Sequence, residues 1–338
     1  MDTREIVLAS IVPASASLLL LLPAHAILAR RAARTGRPAP TLAWMIPPLL
    51  AGGVALGAWA WQSRIELWPL SVTHRFPAIA IAAMLAGLLS TLSPLGRRPR
   101  LAAIPATLAG ALVAWAVLGP LDASVIPEPA RWGWITGLAL MAGAAAWSVE
   151  AGAEHLPAWR APLLLWLLLG LTALGATAGF ANAPLILWPV AAVCCALAAA
   201  GLFRPGANLL RGAGPTLAVL LVGTIAFSNW IGDRERWLML ALLLSSPLGF
   251  ALAALPPLRS RRPILRLAVA GVAALTPPAI QAAIALPELI RASSDSGEYD
   301  YMNPSDEDRT QARRVRSRPV QRPSPGKEFT TETPRAQS

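Results

Sequence analysis

The sequence predicts an all-α protein: a polytopic transmembrane helical bundle of about ten spans over residues 1–290, then a disordered polyampholyte tail over 291–338. Three observations carry this prediction. Only 14% of the 338 residues are charged and 55% are hydrophobic, with a mean hydropathy of +0.52, whereas soluble domains carry about 25% charge. The charges are also uneven, since 291–338 alone holds nine of the 29 basic and eight of the 18 acidic side chains. The other residues form apolar runs separated by short charged connections, and an uncharged run of roughly 18 or more reads as a membrane span.

The first run, 6–28, contains "LLPAHA" (21–26), which has the small-x-small form of a signal-peptidase site. Its leading "MDTRE" is not net positive, and "RRAAR" follows at once, so it is read as an uncleaved span. Nine further runs lie near 41–61, 77–94, 101–120, 132–149, 162–180, 183–203, 212–231, 237–258 and 264–290. Their connections are short, which makes neighbours in sequence neighbours in one bundle. Cys194 and Cys195 are adjacent in the seventh run. Adjacent cysteines bridge only with strain, and free cysteine behaves as a small hydrophobe.

Orientation follows from the arginines. Fourteen lie in the odd-to-even connections: Arg30, Arg31, Arg34 and Arg37, then Arg97, Arg98 and Arg100, then Arg160, Arg204 and Arg211, and finally Arg259, Arg261, Arg262 and Arg266. The N-terminus and the opposite loops hold six: Arg4, Arg64, Arg75, Arg131, Arg234 and Arg236. This pattern sets the protein in the cell (inner) membrane with its N-terminus outside, and ten full spans would put the C-terminus outside too. Nine of the 13 tryptophans fall toward the same outer side, among them Trp134, Trp230 and Trp237. They read as an aromatic belt or as an outward-facing aromatic site.

Arginine placement also explains the net charge of +11 without nucleic acid. The expected partners are membrane lipids and a protein partner for the tail. That tail runs from "SSDSGEYDYMNPSDED", with Tyr299 and Tyr301, into "RTQARRVRSRP". It has too little apolar content to bury a core. Its arginines suit anionic lipid on a cytoplasmic surface, which conflicts with an outside C-terminus.

Ionisable side chains are missing from the centres of the spans, which argues against a proton pump with a midplane acid. Helix breakers are the remaining lead. Pro47 and Pro48 lie in the second run, Ser245, Ser246, Pro247 and Gly249 in the ninth, and Pro277, Pro278 and Gln281 in the tenth. Proline frees a carbonyl one turn back, and in lipid that carbonyl must face protein or a wet cavity. Broken helices line substrate sites in transporters, so Pro47, Pro48, Ser245, Ser246, Pro277, Pro278 and Gln281 are the substrate-binding candidates. The tenth run is read as a kinked full span, with a re-entrant hairpin as the alternative.

Enzyme chemistry would have to come from loops. Glu66, His74 and Arg75 share one loop, and Asp122 and Glu128 another. "ExxxEH", with Glu150, Glu154 and His155, could offer metal ligands but reads as a solvated helix end, and His25 as a lone structural histidine. No cofactor is expected, since the sequence has no phosphate-binding glycine loop, zinc spacing or nucleophile elbow. The leading expectation is a small-solute permease or transport component using proline-kinked helices. The alternatives are a non-catalytic scaffold acting through its tail, and a membrane transferase using the outer-loop acids.

Overall fold

A helix that is apolar on every side has to be buried, and Ala213–Trp230 is buried along its whole length. Most of the other helices pack against it. The structure, a computed structural model, describes residues 3–35, 43–62, 75–93, 98–121, 123, 125–156, 159–180, 183–203, 210, 212–230 and 237–295. Met1–Ile290 forms one unit and Arg291–Ser338 another. In chain order the helices are α1 (Thr3–Thr35), α2 (Ile46–Gln62), α3 (Arg75–Leu92), α4 (Pro99–Leu118), α5 (Glu128–His155) and α6 (Arg160–Ala176). Then come α7 (Ala183–Phe203), α8 (Ala213–Trp230), α9 (Trp237–Ser245), a 3-10 segment (Ser246–Ala254), α10 (Pro256–Arg259) and α11 (Pro263–Asp295). No strand occurs among the described residues.

Seven segments are long and apolar enough to cross a membrane: Ile11–Leu28, Pro99–Leu118, Glu128–His155, Ala183–Phe203, Ala213–Trp230, Trp237–Ala254 and Pro263–Pro287. Ala43–Leu56, Phe76–Leu92 and Arg160–Ala176 are shorter apolar helices. Large apolar side chains such as Leu19, Leu85, Leu108, Leu140, Val272 and Ile284 are exposed on the outside of the bundle, a surface suited to hydrocarbon rather than water.

Helix α8 touches α2 through α7 and α9. Small residues allow its neighbours to close up, as expected where lipid supplies no hydrophobic drive between helices. A Cβ on Gly110 of α4 would stand 2.6 Å from the Ala142 methyl of α5, and Gly143 of α5 abuts Thr107 of α4. At one end of the bundle the helix termini carry two aromatic groups. Phe76, Phe180 and Phe227 form one, with centroids 4.5 to 5.9 Å apart, and Trp134, Trp230 and Trp237 the other, at 5.0 to 6.0 Å. Some of the tryptophans predicted for a belt are therefore packed on one another. Arg131 donates to the carbonyls of Gly119, Leu121 and Ile126 near this end. At the opposite end Arg266 donates to the His155 carbonyl at 3.0 Å.

The structure bears on three readings. Pro47 and Pro48 do not interrupt a span: they occupy the first turn of α2, just after a 3-10 turn over Ala43–Met45, where the missing N–H groups have no intrahelical partner to lose. The tenth run is an unbroken helix from Pro263 to Asp295, with no hairpin. That helix also runs five residues into the segment predicted as tail; the rest of the tail, with Tyr299 and Tyr301, lies outside the described residues.

Candidate functional site

The clearest break in a helix is in the ninth run. After Ser245 the chain tightens into nine residues of 3-10 helix, far beyond the usual three or four. Pro247 causes it, because its ring excludes an α-helical bond to the Leu243 carbonyl. Ser246 repairs the gap: its Oγ donates to that same carbonyl at 2.7 Å, and Ser245 Oγ donates to Leu242 at 3.0 Å. Length gives the segment a second role. As pure α-helix the 18 residues Trp237–Ala254 would rise about 27 Å, and half in 3-10 form they reach about 31 Å, close to the roughly 30 Å of hydrocarbon to be crossed.

The 3-10 segment lies between α5 and α11. Gly152 of α5 faces Phe250, with its Cβ position 2.8 Å from the Phe250 carbonyl oxygen. Gly249 packs on the α11 backbone at Ala273 and Ala274. These are the residues whose carbonyls Pro277 and Pro278 leave without an α-helical donor, and Ala274 is fully buried. The weakened stretch of α11 is thus covered by protein. Beyond it, Pro278 and Gln281 continue the buried stripe Ala270, Ala274 and Ala285, one face of a helix otherwise turned outward.

Gln281 meets α6. Its Nε2 donates to the Gly175 carbonyl at 3.4 Å, longer than a well-made N–H···O bond. A Cβ on Gly175 would stand 2.9 Å from Gln281 Cγ and 3.2 Å from Leu243 Cδ2, so α6, α9 and α11 converge there. One turn back on α6, Thr172 is fully buried and its Oγ1 has no hydrogen-bond partner. The candidate site is therefore the meeting of Gly175 of α6, Leu243 of α9 and Gln281 of α11, with Thr172 one turn back on α6 and Ser246 bonded to the Leu243 carbonyl. Gly175 is next to the last residue of α6, which puts the site nearer the aromatic end than the midplane.

Sequence reasoning missed Thr172. A hydroxyl in "LLLGLTALGATAG" reads like that of Thr107, which bonds its own helix at Ala103; only the neighbouring helices distinguish the two.

The other candidates fall elsewhere. Pro47 is buried beside Gly87 of α3, as is Thr216 of α8, and Pro48 is half-buried. The hydroxyls of Ser90 and Thr216, on the same pair of helices, are buried and unpartnered. The segments that carry Ser245 and Ser246 and that carry Pro277, Pro278 and Gln281 thus meet through Gly249, while Pro47 and Pro48 belong to a separate α2–α3–α8 junction.

Glu150 requires a correction. It was expected at a solvated helix end, but it is buried, and its Oε1 accepts the backbone N–H groups of Gly212 at 2.7 Å and Gly214 at 3.0 Å. It caps α8 from another helix, using donors at the N-terminus that have no intrahelical acceptor. Glu154 is exposed and His155 half-buried, and among the described residues no group of three or more His, Cys, Asp or Glu could hold a metal. Of the loop residues weighed for enzyme chemistry, Glu66, His74 and Asp122 lie outside the described residues, as does the side chain of Arg75, and Glu128 is exposed; the side chain of His25 also lies outside them. Cys194 is buried, while Cys195, next to it on α7, faces outward.

No protein-family model matches this chain, and no curated protein or solved structure is significantly similar to it.

Proposed function

We propose that the protein is a small-solute permease or transport component, with its site at the α6–α9–α11 junction closed in this structure. The observation that carries this reading is the orphaned Thr172 hydroxyl, one turn of α6 before the carbonyl that accepts the single long bond of Gln281. Buried polar groups are normally satisfied, and a polar solute could bond both at little cost. The nine-residue 3-10 segment next to them supports a moving part, since a 3-10 stretch within a helix often marks a hinge. The site residues are uncharged, so the solute class is small, polar and neutral.

In this reading the bundle crosses the cell (inner) membrane ten times, the three shorter helices joining the seven long ones, and its N-terminus is extracytoplasmic. Proteoliposomes shrunk in glycerol or urea should reswell faster than protein-free vesicles. Gln281→Ala and Thr172→Val, each folded, should bring the rate at least about tenfold closer to that of empty vesicles, the factor equivalent to one hydrogen-bonded contact of about 1.4 kcal/mol. Wild-type protein that conducts neither these nor other neutral polar solutes would count against the permease reading.

A second reading, a scaffold acting through its tail, draws on the sealed packing around α8. It requires that removing 296–338 abolish function while the membrane part stays folded. A fully active truncation rules it out.

A further inference from the structure

We propose that the groove between α6 and α7 is a binding site for an anionic phospholipid, with the phosphate on Arg160 and an acyl chain lying along α6. The groove has a volume of about 490 Å³, and its walls include Trp166, Leu167 and Leu174 of α6 and Trp188 of α7. Its floor is shallow in side chains: a Cβ on Gly170 would meet nothing within 4 Å, and α7 contributes Ala191 and Ala192. The lining is apolar and faces outward, so the occupant must be apolar over this stretch.

Charge selects the class of lipid. At 100° per residue, Arg160 lies about 50° from the mean direction of the α6 groove residues and below them on the same helix face. Its guanidinium is 5.1 Å from the centroid of the Trp159 ring, a cation held at the end of an apolar channel. Trp166 and Gly170 are six and ten residues above Arg160, about 9 and 15 Å along the axis. One leaflet of hydrocarbon is about 15 Å deep, so a chain descending from a phosphate at Arg160 ends between the groove walls. Another apolar groove, between α3 and α4, is smaller, at about 280 Å³. There Arg100 is about 110° from the direction of the groove residues on α4, so its guanidinium is not set below that groove as that of Arg160 is. This makes Arg100 a built-in control.

The test is native mass spectrometry of the full chain in detergent with equal amounts of phosphatidylglycerol and phosphatidylcholine. The wild type should retain phosphatidylglycerol preferentially. Arg160→Gln should reduce that preference about fivefold, the contribution of one basic residue at an anionic lipid surface, while Arg100→Gln leaves it unchanged. Gly170→Leu, whose Cβ has open space around it and whose remaining atoms would occupy the groove, should reduce retention of both lipids. Circular dichroism confirms that each variant folds. Equal retention by wild type, Arg160→Gln and Gly170→Leu would overturn the proposal. So would a dimer mass that Gly170→Leu converts to monomer, since the groove would then hold a second copy of the chain.

Discussion

Glu150→Ala is expected to lower the stability of the bundle by at least about 3 kcal/mol, since two hydrogen bonds to a carboxylate, at about 1.5–3 kcal/mol each, are lost together. Two backbone N–H groups lose their acceptor at once, in a place sealed from water: Glu150 is 6% exposed, and Gly212 and Gly214 are buried. Glu150→Gln keeps an acceptor oxygen and should lose only about 1 kcal/mol. The glycines should be as intolerant as the acid. Gly212 has φ +82° and lies against Thr91, so Gly212→Ala meets both backbone strain and a clash. A Cβ on Gly214 would stand 2.8 Å from the Ala146 carbonyl oxygen and from Glu150 Cγ. Graded SDS unfolding followed by circular dichroism gives the comparison. An alanine variant as stable as the wild type would show that the carboxyl group is not the cap.

The sequence shows this contact only in pieces. "RGAG" marks the start of a helix lacking a Ser, Thr, Asp or Asn cap, and "ExxxEH" offers carboxylates near the end of another. Nothing local indicates that the first Glu serves the distant glycines. Membrane helices conceal such pairings because apolar composition specifies that a segment is buried in lipid or protein without saying which. The uniform Ala/Leu pattern therefore predicts the helices well. It does not reveal that α8 is central, or that α11 buries only the stripe through Ala270, Ala274, Pro278, Gln281 and Ala285. The proline positions were legible as points of weakness, but their consequences differ with context. At Pro47 and Pro48 the helix has just begun, at Pro247 a serine closes the gap, and at Pro277 and Pro278 a glycine from another helix covers it.

That last contact should be the least tolerant of substitution in this part of the bundle. Gly249→Val places a branched side chain where the α11 backbone already stands, against Ala274 N and 2.7 Å from the Ala273 carbonyl carbon and Ala274 Cα. Backbone inside a helix cannot rotate away as a side chain can, so overpacking should reach or exceed the upper end of its usual range, about 3 kcal/mol. Either α11 lifts from the 3-10 segment or the segment moves toward α5, where Gly152 already lies against Phe250. Both responses should disturb the long Gln281 bond to Gly175. A cysteine placed at Ala274, buried in the wild type, should therefore become reactive to a small membrane-permeant maleimide in the Gly249→Val background, while one at Leu168, buried within α6, stays protected. If both cysteines become reactive, the substitution has unfolded the bundle as a whole. If neither does, the glycine is not what lets the two segments meet, and the hinge assigned to Ser246–Ala254 loses its structural basis.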